Sequence, residues 1–397
     1  MEIFVATAPG LESIAAGEAK PLGARGNQEQ GGISFNGDHR LLYLANLHWR
    51  TPSRVIVRLG RFHASTFYEL ERRAKKITWQ AFLPANAAVD LRVTCRKSRL
   101  YHSDAVAERI LSAISAASAG VHVVGASAEN DEDAESGSYH AEGITQLFVV
   151  RIVNDQCEIS ADSSGALLHR RGYRQEVAKA PLRETLAAAM ILASGWRAGD
   201  PLLDPMCGSG TIPIEAAMIA RRIAPGLRRE FQFMRWPSFD AGLWKELVTN
   251  AESEITTVSA SIRGADRDAG AIAAATRNAE RAGVASDIEF ATRPVSASLD
   301  ALEAQERREG WILTNPPYGI RVGEGADLRN LYARLGAAVK DNPDWRLGVL
   351  TDDARLARQV GVPLRSRFET RNGGIPVSFL ASEKPGTRAS NRADSDK

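Results

Sequence analysis

The chain has 397 residues, 44% hydrophobic and 25% charged, which is room for two or three ordinary globular domains. Lys and Arg (50) nearly balance Asp and Glu (48), so the net charge of +2 announces no nucleic-acid partner, and any such partner has to be argued from local patches. The three cysteines, Cys95, Cys157 and Cys207, are odd in number and far apart. This argues against a disulfide framework or a metal site and fits a reducing cytoplasm. No apolar run reaches the length of a membrane span, and Met1–Ala8 lacks the basic-then-apolar order of a signal peptide.

Residues 1–60 read as a small α+β unit. Ile3–Ala6 is strand-like, and Leu11–Ala19 is a short amphipathic helix stopped by Pro21 and a Gly-rich turn. Gly32–Phe35 is a second strand, Arg40–Leu47 has helical periodicity, and Arg54–Leu59 alternates like a strand. That order predicts a ferredoxin-like layer of helices on one sheet face. Residues 61–165 form a second unit. It has a helix from Phe67 to Lys76 with a basic end, a strand over Ala88–Cys95 and a helix over 104–118. The strand runs into a basic turn where Lys97 and Arg99 accompany Ser98 and Tyr101. Residues 126–143 are rich in Ser, Gly and acids and read as a solvated, hairpin-like insertion without site chemistry. Two strands over 146–153 and 156–162, joined by Asn154-Asp155, close the unit.

The run Leu168–Arg174 gathers His169, Arg170, Arg171 and Arg174 around Gly172 and Tyr173. Such a run suits a clamp on phosphates with an aromatic for stacking; a solvated linker is the plain alternative. Two further basic pairs, Arg221-Arg222 and Arg228-Arg229, follow. From Pro181 to Ser382 strands and helices alternate, which predicts a largely parallel sheet with helices on both faces. Strands are expected at 201–203, 261–265, 288–290, 311–313 and 346–350. A long excursion over 223–260 interrupts them, and a hairpin around Asn372-Gly373-Gly374 closes the sheet. Residues 383–397 are a polar tail with the composition of a disordered one.

Three stretches carry chemistry. Asp204-Pro205-Met206-Cys207-Gly208-Ser209-Gly210-Thr211 follows the first strand of the parallel part and opens its helix. Its glycines allow tight turning and close backbone approach. It has neither the Gly-Lys-Ser/Thr of a Walker loop nor the spacing of NAD binders. It suits S-adenosylmethionine, with Asp204 near the amino-acid end and Gly208 and Gly210 along the cofactor. Cys207 has no His nearby in sequence and reads as a plain loop cysteine. The second strand ends in Asp266, placed to accept the two hydroxyls of a ribose, with Asp268 as helix N-cap. The fourth strand runs into Asn315-Pro316-Pro317-Tyr318-Gly319, where two prolines end the strand and stiffen the Asn315 backbone. The Asn315 side-chain carbonyl and the Pro316 backbone carbonyl suit the two N–H groups of a planar exocyclic amine. Tyr318 suits a base face, a contact worth ~1–3 kcal/mol. Loop, acid and NPPY in this order are those of a class I methyltransferase.

With these residues, the sequence resembles the bacterial THUMP-domain RNA guanine-N2 methyltransferases. It is similar to the N-terminal methylase half of the 23S ribosomal RNA enzyme and to single-methylase relatives that include a transfer RNA enzyme. The matching runs are Phe67–Lys76, Asp162–Arg174, Ala180–Ala187, Leu203–Ala217 and Asn315–Gly319, in a resemblance over nearly the whole chain. It implies an α/β protein with a ferredoxin-like domain at 1–60, an RNA-binding THUMP domain at 61–165 and a Rossmann-like methylase at 166–382. It also implies structured RNA as partner and Thr185, in Arg183-Glu184-Thr185, near the cofactor's methionine end. The sequence departs from the pattern after the third strand, where Pro294 stands in place of an acid near the adenine. A backbone contact at Arg293 is the expected substitute. Adenine-N6 DNA methylases and protein glutamine methylases also carry NPPY, and an RNA-binding assembly protein with a silent methylase fold is a further alternative. The basic front half favours RNA among these.

Overall fold

The computed structural model describes residues 1–84, 86–118, 120–128, 145–175, 182–257, 261–302, 309–317 and 325–383. Most of the 126–143 insertion, the tail beyond Glu383 and Tyr318 lie outside these residues. The chain divides into two compact units. The first takes residues 1–8, 15–171 and 224–253; the second takes 9–14, 172–223 and the chain from 254 onward.

The first unit holds an eight-stranded sheet of β1 (Glu2–Ala6), β2 (Asn27–Glu29), β3 (Gly32–Asn36), β4 (Arg54–His63), β5 (Ala88–Arg96), β6 (His122–Ala128), β7 (Thr145–Val153) and β8 (Gln156–Asp162). Their order is β2-β3-β1-β4-β8-β7-β5-β6. Only β5 pairs in parallel, with β6 on one side and β7 on the other. The antiparallel pairing of β4 with β8 makes one continuous sheet of the two α+β units expected from the sequence. Strand β6 carries no sequence signal that sets it apart from the polar stretch it enters. Helices begin where side chains satisfy the free N–H groups of the first turn. Asp38 accepts from the Leu41 N–H and Thr66 from that of Glu69, while Glu69 reaches back to the Ser65 N–H. The core is closed by Trp49, Trp79 and Phe148, the last two edge to face with centroids 5.0 Å apart.

The segment 224–253 completes this core. Tyr43 stacks on Phe233 at 4.4 Å between centroids, with Phe239 tilted and Trp244 edge-on against the same ring. Trp236 packs edge-on to Phe82 and donates its indole N–H to the Gln146 side-chain oxygen at 2.7 Å. At Gly226 a Cβ would stand 2.8 Å from the Asn46 carbonyl oxygen, so only glycine admits this close passage.

The second unit holds a seven-stranded sheet of β9 (Leu202–Asp204), β10 (Ile262–Asp266), β11 (Ile288–Thr292), β12 (Gly310–Thr314), β13 (Trp345–Thr351), β14 (Leu364–Asn372) and β15 (Ile375–Ser382). The order is β11-β10-β9-β12-β13-β15-β14. Strands β9 to β13 run parallel, and β15 enters antiparallel between β13 and β14. The hairpin turns where the sequence expects it, with Gly373 and Gly374 both at positive φ. The helix Ala269–Ala282 starts at its Asp268 cap and stops at Gly283, in the left-handed region. Strand order reverses between β9 and β12, so the crevice at their carboxyl ends is where an open α/β sheet binds ligands.

Tyr43 fills the largest aromatic cluster of the first unit, and Tyr43→Ala should cost about 3–5 kcal/mol of unfolding free energy. Denaturant unfolding of the full chain measures this. A loss below about 1 kcal/mol would mean that segment 224–253 does not brace the first unit.

Candidate functional site

The crevice is built from three strand ends. Asp204 closes β9 and is 2% exposed. Its Oδ1 accepts the Met206 N–H at 3.1 Å and the Thr314 hydroxyl, from the end of β12, at 2.8 Å. Asp266 closes β10. Its Oδ2 accepts the Gly208 N–H and its Oδ1 the Asp268 N–H, both at 3.0 Å. The structure thus ties the glycine loop to both neighbouring strands. Burial is the main reason the Asp204 carboxyl is pushed up to about 7; the nearby Asp266 charge pushes the same way, against the Thr314 and Met206 hydrogen bonds.

The two loop glycines differ. Gly210 has φ +85°, and a Cβ there would stand 2.9 Å from the Ala275 Cβ and 3.2 Å from the Phe290 ring. It is glycine because the helix Thr211–Ala220 packs closely there. Gly208 has φ +52° and faces open space, so its backbone is free for close approach by a ligand. Cys207 fits beneath, its sulfur 3.2 Å from where a Gly264 Cβ would be. Burial, then the Asp204 and Asp266 charges, push its thiol well above the ordinary range. It is an inert packing residue, as the sequence suggests.

Asn315 follows Thr314 and is half-buried, and Pro316 is buried. The Asn315 Oδ1 is shielded from solvent and has no hydrogen-bond partner among the described residues. Thr185 lies buried in the first turn of the helix Glu184–Ser194, which packs on Thr211–Ala220. Arg293 is exposed and its N–H donates to the Asp266 carbonyl at 2.9 Å, so that N–H is not available to an adenine. Pro294 opens the short helix Val295–Asp300.

The basic run around residue 170 divides. Arg171 is buried, its guanidinium donating to the carbonyls of Leu168 and Arg50. Tyr173 is buried with its hydroxyl on Glu215 at 3.1 Å, and Arg174 pairs with Glu184 and donates to the Leu182 carbonyl. Arg229 donates to the carbonyls of Ala166 and Leu167. Arg171, Tyr173 and Arg174 are thus taken up by carbonyls and carboxylates inside the protein, where the sequence alone suggests a surface for phosphates, and the half-buried Arg229 holds two carbonyls. Lys97, Arg99, Arg170 and Arg228 are exposed and His169 is half-buried. Sequence reasoning missed Thr314 as a link to Asp204, and Asn278, whose buried amide donates to the Ser209 carbonyl at 3.1 Å. Both act across long sequence separations that no local pattern marks. Among the described residues no group of His, Cys, Asp and Glu is arranged to hold a metal ion, and no helix is long and apolar enough to cross a membrane.

The sheet order, the glycine loop and the strand-end acid define a Rossmann-like methyltransferase fold. Residues 171–375 match the model of the RMKL-like methyltransferase domain, and residues 2–56 match that of the RlmL ferredoxin-like domain. The chain belongs to this RMKL-like methyltransferase family. It is 34% identical over 384 residues to "Putative RNA methyltransferase slr0064" of Synechocystis, covering 96% of each chain. It is 35% identical over 389 residues to "Ribosomal RNA large subunit methyltransferase K/L" of Syntrophotalea carbinolica, where 95% of this chain matches 53% of the relative. The chain thus spans about half the length of that enzyme. Among solved structures, SMU.472, "a putative methyltransferase complexed with SAH", superposes with a TM-score of 0.83 at 26% identity, over 98% of this chain and 99% of that one.

The glycines give a test of the site's architecture. Gly208→Ala should cost about 1–2 kcal/mol, the left-handed backbone alone. Gly210→Ala should cost a further 1–3 kcal/mol, roughly, from overpacking against Ala275. Thermal unfolding of the two variants should rank them in that order, and the reverse order would contradict the packing role of Gly210.

Proposed function

We propose that this protein transfers a methyl group from S-adenosylmethionine to the N2 amine of a guanine in structured RNA in the cytoplasm, with 23S ribosomal RNA as the substrate. The observation that carries this reading is the Asn315 Oδ1, shielded from solvent and without a hydrogen-bond partner among the described residues, next in the chain to the Thr314 that bonds Asp204. A buried acceptor without a donor is costly unless a ligand supplies one. The names of the relatives in Synechocystis and Syntrophotalea support RNA, and the latter supports ribosomal RNA. The SAH in SMU.472 supports the cofactor.

The residues present fit that cofactor. Each Asp266 oxygen accepts one N–H and keeps lone pairs for a ribose hydroxyl. Gly208 leaves open space along the loop. Asp204 and Thr185 would face the methionine end, with Met206 beside them, and the Arg293 stretch would flank the adenine. When bound, the cofactor supplies an electrophilic methyl group on a sulfonium. The protein's task is to orient the acceptor. A guanine exocyclic amine is a poor nucleophile because its lone pair is delocalised into the ring. With Asn315 Oδ1 and the Pro316 carbonyl accepting its two N–H groups, the lone pair is held toward the methyl group. No strong base is needed, because the methylated ammonium is acidic; proximity and orientation do the rest. Tyr318, which lies outside the described residues, is assigned the stacking role by sequence.

The front half is assigned to RNA. We read residues 61–165 as a THUMP domain. Tyr68 and Tyr101 are 73% and 68% exposed, the two most exposed large apolar side chains among the described residues. They lie at the starts of the helices Phe67–Ala74 and Ser103–Ala117, which pack together. The turns before them meet at Asp155, whose carbonyl accepts the Ala64 N–H and whose carboxylate accepts the Arg99 N–H. Lys97, Arg99 and Arg72 lie on the same stretches, and the Arg72 guanidinium sits over the Tyr68 ring at 5.6 Å. Exposed aromatics among cations suit unpaired bases and their phosphates.

Asn315→Ala should lower methyl transfer at least about a hundredfold, the usual effect of losing a preorganised polar group, with cofactor affinity unchanged by calorimetry. Equal loss of both would contradict the acceptor role. In cells lacking the protein, mass spectrometry should show N2-methylguanosine lost from ribosomal RNA. Its loss from transfer RNA alone would reassign the substrate, and methyl label entering only DNA or protein in vitro would reject RNA. Tyr68→Ala combined with Tyr101→Ala should weaken binding of structured RNA by about tenfold or more, at ~1–3 kcal/mol per stacked base, as read by fluorescence anisotropy.

A further inference from the structure

The cofactor side and the acceptor side of the crevice are joined by one side-chain contact. Thr314 is fully buried at the end of β12, next in the chain to Asn315, and donates its hydroxyl proton to the Asp204 Oδ1 at 2.8 Å. Asp204 has few other supports. The Met206 N–H is its second donor, and the charged or titratable groups facing it are Asp266 and Cys207, with no cation among the described residues. A hydroxyl serves the ionised carboxylate as donor, whereas a protonated carboxyl must place its own hydrogen elsewhere.

We propose that Thr314 is a positioning residue of the methyl-transfer site: its hydroxyl keeps Asp204 oriented and charged for the cofactor, and the same bond holds the strand end that carries Asn315 against the glycine loop. This rests on the cofactor reading above and adds a residue to it. Thr314 touches neither the cofactor nor the amine in this account. It acts through Asp204 on one side and through the backbone of Asn315 on the other.

The bond also sets a pH dependence with a defined sign. Burial raises the Asp204 carboxyl and the Thr314 hydrogen bond lowers it. Removing the hydroxyl therefore shifts its ionisation to higher pH, and a cofactor ammonium then meets a neutral acid at pH 7. A hydrogen bond to a charged group supports a shift of about one pH unit, or about tenfold in the ionisation constant.

The test is calorimetric binding of S-adenosylmethionine to the full chain from pH 6 to pH 9. For Thr314→Val, which keeps the shape and loses the donor, binding should be about fivefold weaker near pH 7, about tenfold weaker near pH 6, and approach the wild type near pH 9. Thr314→Ser, which restores the donor, should return the wild-type curve. Introduced into an Asp204→Asn background, Thr314→Val should leave the pH curve unmoved, because the interaction runs through Asp204. If the valine variant fails to fold by circular dichroism, Thr314→Ala removes the same donor without a clash and should show the same shift. A loss that is uniform across pH, or none, overturns the proposal while leaving the cofactor reading intact. Absence of binding by the wild type at every pH overturns both.

Discussion

The site depends on the parallel pairing of β9 with β12. Trp311 faces Leu202 and Ile312 faces Leu203 in register, and all four side chains are buried. Period-two alternation makes a one-residue slip expensive, since it would exchange every side chain between faces. With the register fixed, Asp204 and Thr314 finish their strands side by side, and Asn315 and the glycine loop begin at the same edge. Strand β10 pairs with the other side of β9 and delivers Asp266 to the same row. The three stretches that carry chemistry are separated by tens of residues in sequence and meet because apolar runs a few residues long choose their neighbours.

What the sequence made legible was mostly local. Prolines that end a strand, glycines at positive φ and an aspartate before a helix act within a few residues, so β12, the Gly373-Gly374 hairpin and the Asp268 cap fall where expected. Side-chain partners are another matter. A basic run looks the same in sequence whether its guanidinium groups meet solvent or carbonyls. Arg171 reaches the Arg50 carbonyl, and the Tyr173 hydroxyl reaches Glu215. Nothing local in the sequence marks either contact. For the same reason the Thr314–Asp204 bond was invisible, although both residues stand in stretches singled out for their chemistry.

The 224–253 segment shows the same limit at a larger scale. In sequence it is an excursion between two strands of the parallel sheet. In the structure its aromatic side chains fill the core of the first unit around Tyr43. Aromatic rings bury large area in specific mutual orientations, and such rings need a partner surface that the neighbouring sequence does not supply. The four backbone hydrogen bonds that Arg171 and Arg229 give to carbonyls of residues 50 and 166–168 brace the same unit. The first unit is therefore assembled from pieces on both sides of the first strand of the methylase sheet. The chain passes from one unit to the other at residues 8–9, 14–15, 171–172, 223–224 and 253–254.

The floor of the crevice is electrostatically one-sided. Asp204, Asp266 and the Cys207 sulfur lie together; the Asp266 charge raises the Asp204 carboxyl, and both carboxylates raise the Cys207 thiol. Because Asp204 is pushed up to about 7 from an ordinary 3.8, the folded protein holds a proton there that the unfolded chain has released. The linked effect on stability is nil at low pH, grows as pH rises through the unfolded value, and levels off above about 7, where Asp204 is ionised at full cost. A ligand that brings positive charge removes that cost, and it does so most at the pH where the cost is largest. An ammonium and a sulfonium are both cations, whereas the demethylated product has lost the sulfonium charge. The desolvated Asp204 therefore favours a ligand that carries the extra positive charge over one that has lost it.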